Sequence, residues 1–224
     1  CQVRFNQGQK SLMLRTVVAF VLLFAAGCST TSQPQPISQS PTAAVIFVPG
    51  FKGSVLSQAD GSTAWVTGVQ ALFDGDTLAL ESAHELGLPH GAPLQPTAVL
   101  KSIDLLFGLI SYDIYGRWLR YLRGELPAHI ELVELAYDWR KGALEGSRAF
   151  SAQIKSLRTR GIKDISVVAH SMGGLATSYY LRFGDQAPQT PVENWEGAKL
   201  VNRAVLIATP FRGAMTMFRD MLQG

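Results

Sequence analysis

The chain has 224 residues, of which 47% are hydrophobic and 17% charged, and its formal net charge at pH 7 is +3. Arg4, Lys10 and Arg15 account for that charge, since the segment before Cys28 holds these three basic residues and no acidic one. The rest of the chain is formally neutral, so net charge gives no reason to expect a nucleic-acid partner, and we expect none. The cysteines and histidines form no cluster with metal-ligand spacing, and we expect neither a metal nor an organic cofactor.

The first segment of the chain has the pattern of a secretory signal. Residues 13–27 begin at Met13, carry Arg15, continue as a short apolar run and end in small residues directly before Cys28. The run is too short to span a bilayer. Its end resembles a bacterial lipobox, in which the cysteine is lipidated and becomes the new first residue; a plain signal peptide cleaved at another small residue is the alternative. Residues 1–12 then read as upstream translated sequence.

Residues 28–42 are rich in Pro, Ser, Gln and Thr and predict an extended tether that follows the lipidated Cys28. These features place the protein in the bacterial cell envelope, bound to a membrane through Cys28 and facing the periplasm or located at the outer membrane. Ser29 gives a weak indication of outer-membrane sorting, by resemblance to lipoproteins that lack Asp at that position.

From residue 43 onward, strand-like and helix-like patterns alternate. Apolar runs predict buried strands, and longer amphipathic runs between them predict helices. This alternation indicates one α/β domain over residues 43–224, with a mostly parallel sheet covered by helices on both faces. Residues 57–111 are less regular and predict an insertion or lid. The predicted strands are 44–48, 130–137, 165–169 and 201–208, and the predicted helices are 113–123, 144–160 and 172–183.

The most informative motif is Ala169-His170-Ser171-Met172-Gly173-Gly174, which joins the third predicted strand to a helix. A strand, a sharp turn that carries Ser, and a helix form the nucleophile elbow of α/β-hydrolases. The residues two before and two after the Ser must be small for strand and helix to pass closely, and Ala169 and Gly173 meet that demand. Ser171 is therefore the predicted nucleophile, and an ordinary glycine-containing turn is the alternative. His170 is expected to be a packed or hydrogen-bonded side chain rather than the general base.

A second glycine-rich loop follows the first strand, at residues 49–56. In the hydrolase layout this loop donates one backbone N–H to the oxyanion hole, and the residue after the nucleophile donates the other. That assigns the N–H groups of Phe51 and Met172, while Gly50 and Gly53 let the backbone approach the substrate. The alternative is a turn with no part in the chemistry.

The other two members of a catalytic triad do not follow Ser171 convincingly. In this fold the order is Ser, then Asp or Glu, then His, and no His occurs after Ser171. The acidic residues that do follow lie in or near the next helices. We therefore expect these residues to be the N-terminal part of a longer hydrolase whose triad Asp and His lie beyond residue 224; the fragment alone would then be inactive.

Four stretches together resemble the lecithin:cholesterol acyltransferase-like lipases, a family of phospholipases and acyltransferases with the α/β-hydrolase fold. They are PGFKGSVL at 49–56, YDWR at 137–140, AHSMGG at 169–174 and ATPFRGA at 208–214. The resemblance implies that Trp65 belongs to a mobile lid, although it could equally be a core or surface residue. Asp138 and Arg140 would pair near the site in a structural role.

The resulting interpretation is a lipid-anchored serine hydrolase that acts on lipid carboxylic esters through an acyl-enzyme on Ser171. Water would release the acyl group in a lipase or phospholipase, and an alcohol would do so in an acyltransferase. Two alternatives stay open. One is a non-catalytic envelope lipoprotein that uses the scaffold as a binding module, and the other is a general esterase or thioesterase.

Overall fold

The structure, a computed structural model, describes residues 40–65, 93–105 and 110–214. The predicted signal segment, Cys28 and nearly all of the predicted tether lie outside these residues, as does the central part of the predicted insertion. In chain order the elements are β1 (Ala43–Val48), β2 (Ser54–Ser57), β3 (Thr63–Trp65), β4 (Gln95–Val99), β5 (Ser102–Leu105), β6 (Ile110–Asp113), α1 (Gly116–Glu125), β7 (Ile130–Glu134), α2 (Gly142–Thr159), β8 (Asp164–His170), α3 (Met172–Phe183) and β9 (Arg203–Ile207).

The main sheet is parallel, as the alternation of elements predicts. In the described ranges its strand order is β7-β1-β8-β9. Ala43 lies opposite both Ile130 of β7 and Asp164 of β8, so these three strands start at the same edge of the sheet. The carboxyl ends of β1 and β8 therefore lie side by side, and the loops that follow them meet there.

Helices cover both faces of this sheet. Successive side chains of a strand point to opposite faces, and β1 shows this directly. Phe47 packs with Leu119 of α1 on one face. Ile46 belongs to the larger core, which also contains Phe150 of α2 and Tyr180 of α3. The predicted α/β-hydrolase class, with a parallel sheet between two helical layers, is confirmed.

Two strands differ from their predictions. The run 201–208 predicts a buried strand, but Val205 and Ile207 of β9 are 52% and 42% exposed. The reason is that β9 lies at the sheet edge in the described part of the chain, with β8 as its neighbour. The run 130–137 predicts one long strand, but β7 ends at Glu134 because the chain then turns away, and the N–H of Tyr137 donates to Ser54 Oγ.

The predicted insertion at 57–111 is more regular than its composition suggests. Strands β3, β2 and β4 form a small antiparallel sheet, and β5 pairs with β6. The sequence shows little strand-like alternation here because the strands are only three to five residues long. In addition, β4 contains Pro96, which lies next to a register shift in the pairing of β4 with β2. Within the described ranges, no helix combines the length and the apolar character needed to cross a bilayer.

Candidate active site

Ser171 stands at a sharp turn between β8 and α3, where the sequence places a nucleophile. Its backbone angles are φ 52° and ψ −124°, a region that non-glycine residues rarely adopt. The turn is held because the N–H of Ser171 donates to the C=O of Ile207, 2.9 Å away on β9. Such strain persists only where the surroundings enforce it, and it is typical of functional sites.

Small residues permit this turn, as predicted. Ala169 is fully buried, and Gly173 lies so close to β1 that an added Cβ would overlap the carbonyl oxygens of Val48 and Pro49. A Cβ on Gly174 would collide with Thr209. The first turn of α3 is thereby pressed against the ends of the strands on both sides of β8.

The loop after β1 approaches Ser171 closely. A Cβ added to Gly50 would lie 2.8 Å from Ser171 Cβ and 3.2 Å from His170 Nδ1, so only glycine allows this approach. The C=O of Gly50 accepts from the N–H of Gly53 at 3.0 Å and closes a tight turn. The structure thus brings the two predicted loops together beside Ser171.

The two predicted oxyanion donors belong to the residues that directly follow Gly50 and Ser171, which are in close contact. Met172 is the first residue of α3, and the N–H groups of a helix's first turn have no acceptor within the helix. In the described part of the chain, neither Phe51 N–H nor Met172 N–H donates to another residue outside the helices and strands. Their assignment to an oxyanion hole stays a prediction, and their position is compatible with it.

Two tyrosines that the sequence analysis missed hold the peptide between Pro49 and Gly50. The hydroxyl of Tyr137 donates to the C=O of Pro49 at 2.9 Å, and the N–H of Gly50 donates to the hydroxyl oxygen of Tyr115 at 3.1 Å. Burial raises the pKa of both phenols above the ordinary value of 10, so both hydroxyls keep their proton well into the alkaline range. Tyr137 stands in the YDWR motif and could have been suspected; Tyr115, 65 residues away from Gly50, has no such signal.

His170 is a hydrogen-bonded side chain, as expected. Its Nδ1 lies 2.8 Å from the Tyr115 hydroxyl, and the two rings meet edge to face. Partial burial lowers the pKa of His170, which favours the neutral imidazole.

Asp138 and Arg140 form the predicted pair. Arg140 Nε and Nη2 donate to the two carboxylate oxygens at 2.9 and 2.7 Å, and the side chains are 5% and 2% exposed for Arg140 and Asp138. Asp138 also accepts from the backbone N–H of Arg140, which starts a short 3₁₀ helix at Trp139–Lys141. The bidentate geometry and the burial indicate a structural brace for the segment that carries Trp139 and Tyr137.

Trp65, for which the sequence leaves a lid, a core and a surface position open, is buried in this structure. Its Nε1–H donates to the C=O of Lys52, and its ring packs edge to face on Trp139. Phe51 also packs edge to face on Trp139 and is 37% exposed. An aromatic cluster of Phe51, Trp65 and Trp139 therefore lies beside the glycine-rich loop; the lid role of Trp65 stays a prediction.

The three acidic residues after Ser171 that the structure describes are engaged in other ion pairs, and Asp220 lies outside the described residues. Asp185 pairs with Lys155, Glu193 with Arg182, and Glu196 with Lys199. No group of His, Cys, Asp and Glu side chains within the described residues could hold a metal ion.

Comparisons with known proteins bear on this site. The lecithin:cholesterol acyltransferase family model matches residues 64–224. Lecithin-cholesterol acyltransferase-like 4 of Arabidopsis thaliana is 27% identical over 200 residues, which are 76% of this chain and 34% of the plant protein. The chain thus spans about a third of the length of that relative.

Solved structures also match. The lipase BlEst2 of Bacillus licheniformis, in its mature form, is 16% identical, with 81% of this chain and 45% of that chain covered and a TM-score of 0.30. A chain of the Tle4–Tli4 complex is also 16% identical, with 82% and 48% covered and a TM-score of 0.43.

The family match includes the YDWR segment, the elbow at Ser171 and the ATPFRGA segment, three of the four stretches on which the resemblance rests. The chain therefore belongs to the lecithin:cholesterol acyltransferase family.

Proposed function

We propose that the full-length protein is a serine hydrolase or acyltransferase that acts on lipid carboxylic esters through an acyl-enzyme on Ser171. The observation that carries the proposal is the strained backbone of Ser171 at the end of β8, in contact with Gly50 of the loop after β1. Family membership supports lipid ester chemistry in general. The assignment of Ser171 as the nucleophile goes beyond family membership and is part of our proposal.

In the proposed reaction, Ser171 Oγ attacks the ester carbonyl carbon while a general base takes its proton. The carbonyl oxygen becomes an oxyanion that accepts hydrogen bonds from the N–H groups of Phe51 and Met172. The intermediate collapses, the C–O bond to the leaving alcohol breaks, and the base returns the proton to that alcohol. Water or an acceptor alcohol then attacks the acyl-enzyme and frees Ser171. We expect the base and its carboxylate from residues of the full-length protein outside this chain.

A fluorophosphonate probe tests the nucleophile. We expect the wild-type full-length protein to be labelled and Ser171→Ala to lose labelling, since the probe bonds covalently to an activated Ser Oγ. Ser178→Ala is the matched control, because Ser178 lies in the same helix, α3, and should leave labelling intact. Labelling that persists in Ser171→Ala would disprove the assignment, and a wild-type protein that does not react would favour the binding-module alternative.

The substrate class needs its own measurement. We propose that the aromatic cluster of Phe51, Trp65 and Trp139 faces the acyl chain, with Trp65 in a lid, and that the enzyme gains activity at a lipid surface. Hydrolysis of soluble short-chain esters is compared with hydrolysis of phospholipid vesicles. A higher rate on vesicles supports a lipid enzyme, and a preference for soluble esters or thioesters supports the general esterase alternative.

We further propose that lipidated Cys28 anchors the protein in the bacterial envelope. Metabolic labelling with a fatty-acid analogue should mark the wild-type protein, and Cys28→Ser should lose the label and leave the membrane fraction. A Cys28→Ser protein that stays lipidated would refute the anchor.

A further inference from the structure

The hydroxyl of Tyr115 joins the two loops that meet at the candidate site. Tyr115 directly precedes α1, and its ring packs edge to face on Phe47 of β1, with ring centroids 4.9 Å apart. Its oxygen accepts from the N–H of Gly50 at 3.1 Å and lies 2.8 Å from Nδ1 of His170. One side chain therefore contacts both the loop that carries Phe51 and the residue before Ser171.

The direction of the first of these hydrogen bonds follows from its donor. Gly50 N–H can only donate, so the Tyr115 oxygen is its acceptor. The roles in the contact between Tyr115 and His170 depend on the His170 tautomer; we assign the Tyr115 proton to Nδ1 of His170, which gives that proton an acceptor and puts the ring proton of a neutral His170 on Nε2. The resulting chain runs from Gly50 through Tyr115 to His170.

The peptide held by this chain directly precedes the predicted oxyanion donor. The C=O of Pro49 accepts from Tyr137 and the N–H of Gly50 donates to Tyr115, so both polar groups of that peptide are fixed by tyrosine hydroxyls. The next N–H along the backbone belongs to Phe51. A rotation of the peptide between Pro49 and Gly50 would therefore displace Phe51 N–H from Ser171.

We propose that Tyr115 is a positioning residue for the oxyanion hole: by joining Gly50 N–H to His170 Nδ1, its hydroxyl holds Phe51 N–H in place relative to Ser171. This inference rests on the proposed function. An oxyanion donor displaced by a fraction of an ångström stabilises the transition state less, whereas binding of the neutral ester depends on it little.

Tyr115→Phe in the full-length protein removes the hydroxyl and keeps the ring on Phe47. We expect kcat for p-nitrophenyl butyrate to fall about 10- to 100-fold, with KM within about threefold of wild type. Tyr121→Phe is the control, since Tyr121 lies in α1, the helix that Tyr115 precedes, and is 65% exposed; it should behave as wild type. Thermal unfolding shows whether each variant is folded.

A trifluoromethyl ketone separates positioning from a merely structural role. It adds to the Ser hydroxyl and places a negatively charged oxygen in the oxyanion hole. Its inhibition constant should therefore rise in Tyr115→Phe by the same factor by which kcat/KM falls. Equal inhibition constants for wild type and Tyr115→Phe would overturn the proposal, and so would unchanged kcat/KM.

His170 supplies a second variant pair, should Tyr115→Phe unfold. His170→Asn keeps a side-chain oxygen near the position of Nδ1 and should retain more activity than His170→Ala; equal activity of the two would count against the chain of hydrogen bonds. Fluorophosphonate labelling is measured first. If wild type reacts and Ser171→Ala does not, the proposed function stands and a negative Tyr115 result removes this inference alone. If neither wild type nor Ser171→Ala reacts with the probe, the proposed function and the inference about Tyr115 are both rejected.

Discussion

Arg140→Met tests whether the buried pair with Asp138 braces the site. The substitution keeps much of the length of the side chain and removes the guanidinium, which leaves the Asp138 carboxylate in a place where it is 2% exposed. Lys141 Nζ, at 3.7 Å and on a side chain 52% exposed, is a weak substitute. Removing one partner of a buried pair typically costs about 3–5 kcal/mol, whereas exposed pairs contribute about 0–1 kcal/mol. Because both side chains of the pair are buried, we expect the larger loss in the free energy of unfolding.

Urea unfolding of the full-length protein measures this loss. Lys155→Met is the matched control, because Lys155 makes the same kind of contact to Asp185 at the surface and its removal should change the midpoint little. The double variant Asp138→Asn, Arg140→Met should recover much of the loss, since Asn can still accept from the backbone N–H of residue 140 while no charge is left buried. The reasoning fails if Arg140→Met costs less than about 1 kcal/mol, or if the double variant is as unstable as the single one.

Two further predictions concern the elbow and its neighbour. Gly173→Ala should lower stability by about 1–3 kcal/mol and reduce activity, because the new Cβ overlaps the carbonyl oxygens of Val48 and Pro49; Gly124→Ala in α1, where nothing lies within 4 Å, should be neutral or slightly stabilising in urea unfolding. Similar changes in stability for Gly173→Ala and Gly124→Ala would contradict the close packing of Gly173 against β1. Since the pKa of His170 is lowered from 6.5, the unfolded chain binds a proton below that pH before the folded protein does, and the free energy of unfolding should fall as the pH drops below 6.5. His170→Asn should show a smaller fall between about pH 7 and pH 5, and an equal fall would show that burial of His170 is not the cause.

The parts of the fold that local sequence encodes were predictable. The run from Met172 predicts a helix over 172–183, and α3 has those bounds; the apolar run before it predicts β8 to within a residue at each end. Ser171 and Gly173 could be placed because the elbow is a contiguous pattern whose steric demands show in the residue types. The pair of Asp138 and Arg140 was predictable for the same reason, since its members lie two residues apart.

Long-range contacts could not be predicted. The Tyr115 hydroxyl meets Gly50 and His170 across 65 and 55 residues, and hydrophobic periodicity carries no information about such partners. The burial of Trp65 depends on the small antiparallel sheet, whose short strands leave too few residues for an alternating pattern. The exposure of β9 depends on its place in the strand order, which a single apolar run does not reveal.

The strained backbone of Ser171 lowers stability at the position to which we assign the proposed nucleophile. A residue with a Cβ at φ 52° carries a strain of the order of 1–3 kcal/mol that glycine would avoid. Ser171→Gly should therefore unfold at a higher urea concentration than Ser171→Ala while both lack the hydroxyl. If Ser171 is the nucleophile that we propose, screening variants for stability alone would favour its loss, and the screen would have to measure turnover as well.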